Sequence, residues 1–504
     1  MRRLGIIACL VMPSRVWAQL PPVGVPGGTV RVELDGSLEN FDRRFHNGQR
    51  ESYAGDLSSP ALGSDRIPLL ANADARIGRI IGNTSYRLNL GGLTSDALAD
   101  VGKGILGLGL GLTNRITIFG RIPLVRTRAQ TRMELSSTNA DAGLNPGEAS
   151  QLPFFSDFDA ALATLRSKRD NGDYTGAQLM LADSTLADGA ALRSDLFGLL
   201  ADPATASPVV PTASSGTGAA VLTRIAGLQN TLASSLNVPG FSVAPVLPPD
   251  PLGDDGLTQV LAGPLALRVG QSRVTFRGDA EAGAALTLVD RWDRSTRRGG
   301  FRAAVSGLVR FPTGLREQAD RPLDIGTGEG HTDVQIELVT DLGGGAFGAR
   351  LAGTYVRQLP STFLTRVAPP SQPFVGPDRL ARVRRDPGDI IAIEVRPFYR
   401  LARTLALQAG LQHWIRKVDQ VSYASPADAL PGVDASVLAE ETAANATLLS
   451  AGITYSNPGR LRAGGTGLPV DASWSYEGVL RSGKGRVPIT HRVRGQFRVY
   501  FGLW

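Results

Sequence analysis

The sequence predicts an all-β chain: a transmembrane antiparallel up-and-down β-barrel of about twelve strands, with fourteen as the alternative, carrying an extracellular α-helical insertion. Three observations predict it. Segments of roughly ten to fifteen residues alternate strictly between apolar and polar side chains, the period of a strand with one face in an apolar medium. The connections between them are by turns very short and long, the asymmetry of barrels with short periplasmic turns and long outer loops. No run of eighteen apolar residues exists, which excludes helical membrane spans, and no fixed repeat supports a β-solenoid.

With 504 residues, 42% of them hydrophobic, the chain is apolar enough to fold, and it has neither a collagen period nor a sustained heptad. Its start reads as an export signal over residues 1–18: Arg2 and Arg3, an apolar stretch from Leu4 to Met12, and Val16-Trp17-Ala18 before Gln19. Cleavage there removes three arginines and no acid, so the formal charge falls from +7 to +4 and gives little support to nucleic-acid binding. The one cysteine, Cys9, lies inside the signal, so the mature chain has no thiol for disulfides, catalysis or zinc. Ile6-Ile7-Ala8-Cys9 also fits a lipoprotein box, but the apolar region before it would be only a few residues long.

The clearest hairpin comes first. Leu106, Leu108, Leu110 and Leu112 share one face, Thr113-Asn114 turns the chain, and Ile116, Ile118, Ile122 and Leu124 share the next face. Phe301, Ala303, Val305 and Val309 then alternate with Arg302, Ser306 and Arg310, and Val334, Ile336 and Leu338 with Asp333, Gln335 and Glu337. After Gly343-Gly344-Gly345, Phe347, Ala349, Leu351 and Tyr355 continue the pattern, followed by Ile391, Ile393, Val395 and Tyr399. Ala402-Arg403 closes the next hairpin, into Leu405, Leu407, Ala409 and Leu411, and Leu449, Ala451, Ile453 and Tyr455 come later. Two last segments oppose Val470, Ala472, Trp474, Tyr476 and Leu480 to Asp471, Ser473, Glu477 and Arg481, and Val493, Phe497, Val499 and Phe501 to Arg492, Arg494, Gln496 and Arg498.

Twelve strands result, near 28–36, 104–112, 115–125, 276–290, 299–312, 331–341, 346–357, 389–401, 404–417, 445–456, 468–481 and 488–503. A soluble sandwich also alternates, but these segments have the length a tilted strand needs to cross a bilayer. Slipping the last strand by one residue would put Arg492, Arg494 and Arg498 in lipid, at roughly 2–4 kcal/mol each near the midplane, so the apolar face is the outer one. Tyr86 to Leu90 also alternates; pairing it within 66–82 would give fourteen strands. Trp504 falls out of phase with Val499, Phe501 and Leu503, a departure from the usual outward terminal aromatic residue.

The barrel is divided as 19–135 and 265–504, with the insertion between them over 136–264. The insertion reads as helical: Phe158, Leu162 and Leu165 follow a candidate N-cap at Ser156-Asp157, and Val221, Ile225, Leu228, Leu232 and Leu236 recur later. A Pro/Ala/Ser-rich linker over 203–216 separates them. The insertion is either a domain on the rim or a lid or plug entering the lumen.

Gly111-Leu112-Thr113-Asn114-Arg115-Ile116-Thr117 followed by Ile122-Pro123-Leu124-Val125 resembles the strand-turn-strand hallmark of the outer-membrane family associated with the meta-pathway of phenol degradation. Arg310-Phe311-Pro312-Thr313-Gly314 and Asp324-Ile325-Gly326-Thr327-Gly328 are similar to that family's Pro-Thr-Gly and Gly-Thr-Gly elements. The match spans the barrel parts and not the insertion. The resemblance implies a transporter-like channel for small aromatic or apolar compounds, and supplies no catalytic residues.

No cofactor and no enzymatic activity are expected. The histidines His46, His331, His413 and His491 form no H-x-x-x-H pair, and His331-Thr332-Asp333 reads as a loop-to-strand junction rather than a catalytic trio. Gly107-Leu108-Gly109-Leu110-Gly111 is not a dinucleotide loop, because no helix follows it, and Asp250, Asp254 and Asp255 read as an acidic linker end. The inward phase is the informative one. Arg121, Arg302, Arg310, Arg350, Arg396, Arg400, Arg416, Arg481, Arg492, Arg494 and Arg498 outnumber Glu281, Asp333, Glu337, Glu394, Asp471 and Glu477. They form either an Arg–carboxylate ladder that fills the lumen or an anion-favouring passage. The expected function is an outer-membrane channel passing small aromatic or anionic molecules, the alternative a surface protein for which the barrel is only an anchor. Expected partners are the outer-membrane bilayer with its lipopolysaccharide, the barrel assembly machinery and small solutes.

Overall fold

The computed structural model describes residues 23–292, 300–402, 404–457 and 469–503. The signal segment 1–18, Arg403 of the predicted turn and Trp504 lie outside the described residues.

Alternation becomes strand at all twelve predicted places. These are β1 (Thr29–Phe41), β2 (Gly92–Gly111), β3 (Ile116–Ser136), β4 (Ala280–Trp292), β5 (Gly300–Phe311), β6 (Asp333–Gly344), β7 (Phe347–Gln358), β8 (Ile390–Arg400), β9 (Leu405–Arg416), β10 (Ala444–Ser456), β11 (Val470–Lys484) and β12 (His491–Gly502). Each pairs antiparallel with its neighbours in chain order, and β1 closes the sheet on β12 through Thr29↔Gly502 to Asn40↔His491. Closure gives each of these twelve described strands a neighbour on both sides, as a backbone in lipid requires.

The fourteen-strand alternative fails. Residues 71–81 form helix α1 (Ala71–Ile81), ended by Gly82 in a left-handed conformation at φ 70°, and Leu88 and Leu90 are buried rather than strand-paired. Alternation over five residues cannot outweigh an adjacent amphipathic helix that needs its apolar face covered.

At one end the connections are tight: Leu112 N donates to Ile116 O, and Gly345, at φ 59°, turns β6 into β7. At the other end, β2 and β3 continue past the rim as a ribbon paired up to Gly92↔Ser136 and widened by the strand Gln271–Arg277. This ribbon carries a helical crown built from α1, α2 (Glu148–Asp170), α3 (Ala177–Leu200), α4 (Gly216–Asn230) and α5 (Asp254–Ala262).

The crown has a continuous apolar core in which Ile77, Leu88 and Leu90 pack with Phe154, Phe158, Leu196, Ile225 and Leu232. Segment 42–91 therefore joins the helices of 136–264 in one packed unit. Helix α2 begins at Glu148 rather than after Ser156-Asp157, with Gly147 as its N-cap and Pro153 inside its second turn. The linker expected over 203–216 includes a buried strand, Val209–Pro211, paired with Ala142–Leu144, because Val209 and Val210 are apolar enough to join the core.

Candidate functional site: the charged lumen and its crown-side mouth

Outside the barrel, Leu108, Ile118, Leu286, Ile336, Ile393, Leu411, Leu449 and Phe497 stand exposed in a continuous band. Near the tight-turn end, Phe347 and Tyr399 face each other at 4.9 Å. A soluble protein does not expose an apolar surface of this extent, so the band is the bilayer contact.

Inside, the register brings the predicted arginines against carboxylates. Arg121 reaches Glu33 and Glu281, both at 3.6 Å, and Arg310 joins Glu281 at 3.2 Å to Asp333 at 2.8 Å. Arg498 pairs with Glu33 at 3.3 Å, Arg494 with Asp35, and Glu477 with Arg492 at 3.0 Å. Arg350 and Arg302 share Asp341, and Arg396 pairs with Glu394, two residues away on one face. Glu337 accepts from Ser306 Oγ at 3.5 Å. Arg416 sits on Asp419 at 2.8 Å at the crown end.

Two of the predicted residues do something else. Arg400 donates to the Gly345 carbonyl at 2.9 Å and lies over the Trp292 ring, bracing a tight turn. Arg481 is exposed, because β11 bulges there and brings it into register with Thr447 while Val479 stays opposite Leu448. A single extra residue turns it from the expected phase.

Sequence reasoning missed the acids of β1. Arg31, Glu33 and Asp35 alternate with Val30, Val32 and Leu34, and Glu33 and Asp35 are the buried partners of Arg31, Arg121, Arg494 and Arg498. It also missed a strap. Residues 23–28 fold across the tight-turn mouth: Val25 N donates to Thr117 Oγ1 at 2.7 Å, and Arg31 donates to the Val23 carbonyl at 3.4 Å. Gly109 and Gly111 of the Gly-Leu-Gly-Leu-Gly run face the strap at Val25 and Pro26, and a Cβ on Gly111 would collide with the Pro26 carbonyl, whereas Gly107 faces the Arg121 and Glu33 side chains. Backbone approach explains Gly111.

At the crown end the segments 310–314 and 324–328 form a clasp. Asp279 Oδ1 accepts from Gly314 N at 2.8 Å and Oδ2 from Glu329 N at 2.9 Å, while Thr327 Oγ1 accepts from Leu315 N at 2.9 Å. Thr127 Oγ1 donates to the Ile325 carbonyl at 2.8 Å. Loop 312–332 is thereby drawn over the mouth, and beneath it lies a cavity of about 670 Å³. Lys103, Arg310, Arg316, Arg385, Arg416 and Arg492 line it, with Glu39, Asp279, Glu317, Asp324 and Glu329, and with Phe41, Tyr53 and Val125 as an apolar flank. Arg492 also borders a smaller cavity of about 100 Å³ deeper in the barrel, lined by Arg396, Gln408, Ser450 and Gln496.

The His331 junction belongs to this mouth. Its Nε2 lies 3.1 Å from both Glu329 and Asp333. Burial alone would lower its pKa, but the hydrogen bonds to Asp333 and Glu329 outweigh it and hold the imidazole up to about 9. Of the other histidines, His413 and His491 lie on the outer phase against Thr447 and Tyr476.

Twelve antiparallel strands closed on themselves, apolar outside and ion-paired inside, define a transmembrane β-barrel of the outer-membrane type. No family model matches the chain, and no curated protein matches it. Among solved structures it is similar to an outer-membrane channel from Pseudomonas putida F1, with 11% identity and a TM-score of 0.43 over 96% of this chain and 100% of that one. It is also similar to the monoaromatic hydrocarbon channel CymD, with 10% identity and a TM-score of 0.25 over 95% of this chain and 89% of that one. A Pseudomonas aeruginosa homologue of FadL follows at 8% identity and 0.26, covering 94% and 90%.

Proposed function

We propose that the protein is a channel of the bacterial outer membrane admitting small anionic solutes, aromatic carboxylates among them, through the crown-side cavity. The observation that carries this is the composition of that cavity. Six Lys and Arg side chains, with His331, line it against five carboxylates, beside an apolar flank from Phe41, Tyr53 and Val125, and Arg492 leads from it to the inner cavity. Guanidinium groups in a confined lumen favour carboxylates by bidentate hydrogen bonding and field. The resemblance to the phenol meta-pathway family supports the aromatic part of the reading.

In this reading residues 1–18 are removed on export, 19–135 and 265–504 supply the barrel, and 136–264 together with 42–91 form a lid on the extracellular side. The ladder residues Arg121, Arg310, Glu337, Arg350, Glu394, Arg396, Arg416, Glu477, Arg494 and Arg498 set the lumen's charge. The expected partners are lipopolysaccharide around the rim and the assembly machinery during insertion.

The continuous crown core favours a second reading, in which the barrel only anchors the crown. Single-channel recording of the full mature chain in planar bilayers separates the two. A channel gives steady conductance with an anion-selective reversal potential in a KCl gradient, lowered by benzoate and not by glucose. Insertion without conductance leaves the anchor. Deleting 136–264 alone is a poor test, since it would expose Ile77, Leu88 and Leu90 of segment 42–91.

A further inference from the structure

His331 Nε2 faces three polar side-chain atoms within about 3 Å, among them another nitrogen. Two carboxylate oxygens, Glu329 Oε2 and Asp333 Oδ1, lie 3.1 Å from it and require a donor. The side-chain nitrogen of Gln358 lies 2.7 Å from the same atom, a donor facing a donor, and also donates to Glu329 Oε2 at 3.1 Å and to Asp333 Oδ1 at 3.4 Å, so four ligand-type atoms crowd one point. Gln358 is 3% exposed, and its Oε1 has no hydrogen-bond partner among the described residues. Asp333 and Gln358 are directly opposed in the β6–β7 register, so the strands themselves hold two of the four groups in place. Arg310 engages the other oxygen of Asp333, Oδ2, at 2.8 Å and leaves Oδ1 turned to the imidazole.

We propose that Glu329, His331, Asp333 and Gln358 bind one first-row divalent transition ion, of which Zn²⁺ is the representative. Ligand atoms about 3 Å apart are the edge lengths of a coordination shell of radius about 2.0–2.2 Å, the range for nitrogen and carboxylate ligands to Zn²⁺. A mixed imidazole and carboxylate set suits such ions better than Ca²⁺, which takes six to eight oxygens. A half-turn of the Gln358 amide brings Oε1, now without a partner, to the metal and removes the clash of donors. Two carboxylates and a neutral imidazole balance the charge, the ion replacing the imidazole's proton. Glu329 is 60% exposed at its side chain, which gives entry from the cavity, whereas Asp333 and His331 are buried.

His46 provides the contrast. It also has two carboxylate neighbours, but Glu51 lies at Nδ1 and Glu441 at Nε2, on opposite sides of the ring, so no single ion can take both.

The test is calorimetric titration of the metal-stripped, detergent-folded mature chain with Zn²⁺ alone, and with Co²⁺ followed by visible absorption. One equivalent per chain is expected. His331→Gln and Gln358→Leu should each weaken it at least about tenfold, the size that changes outside the ligand shell already reach. His46→Gln should leave it unchanged. Heat-modifiable migration in gels confirms that each variant has folded, and if His331→Gln fails to fold, Gln358→Leu carries the decision. Absence of saturable binding, or equal affinity in the wild type and the folded variants, overturns the site.

Discussion

Arg492 of β12 donates to Glu39 of β1 at 2.6 Å, joining residues 453 positions apart across the seam that closes the barrel. Its Nη1 reaches Glu477 of β11 at 3.0 Å, and the side chain borders both cavities. The closing strands thus bring together their charges where a solute would pass from the mouth into the lumen.

Arg492→Gln removes this cation and leaves Glu39 and Glu477 facing the passage. The expected result is a reversal potential shifted toward cation selectivity at unchanged insertion efficiency. Planar-bilayer recordings in a KCl gradient read it, and an unshifted potential would place the permeation route elsewhere.

Asp279 holds both ends of the clasp, so Asp279→Ala leaves the Gly314 and Glu329 amides without their carboxylate. Each orphaned group costs about 1–3 kcal/mol if it stays buried, which favours release of the loop. Trypsin should then cut at Arg316 and Arg321 at a rate that the wild type resists, with conductance increased.

Gly111→Ala puts a methyl group where the Pro26 carbonyl lies. Because both atoms belong to backbone held in place, the strap over 23–28 is expected to leave the mouth rather than adjust. Larger unitary conductance without loss of the folded gel band is the expected signature; a normal conductance would show that the strap is no obstacle.

His46 gives a pH dependence. Its hydrogen bond to Glu441, aided by Glu51 and working against partial burial, raises its pKa above the usual value, while Arg486 pairs with Glu441 as well and with Asp56. Since the folded pKa is the higher one, the stabilisation is full below the ordinary histidine pKa of about 6.5 and is lost as pH rises through the folded value. At a partly exposed pair it amounts to no more than about 1 kcal/mol. The difference in thermal midpoint between the wild type and His46→Gln should therefore be present at pH 5.5 and vanish by pH 9.

Much of the architecture was legible in the sequence because the bilayer imposes a local rule. Leu106, Leu108 and Leu110 must face lipid, so Gly107 and Gly109 must face inward, and no distant contact is needed to say so. The same rule gave the inward phase of Arg310, Arg350 and Arg494, and strand length separated a membrane barrel from a sandwich.

Tertiary structure alone decided what those inward groups meet. Glu33 and Arg498 are 465 residues apart and Asp35 and Arg494 are 459 apart, so their pairing exists only once β1 closes on β12. Arg481 left its phase through a bulge, which arises from how two strands fit and not from the periodicity of either. The strap, the clasp of Asp279 on two loop amides, and the convergence of Glu329, Asp333 and Gln358 on one imidazole nitrogen depend in the same way on backbone approach between distant segments. A sequence determines periodicity through the environment each face requires; which charges face each other across a lumen follows from closure and register, properties of the whole sheet.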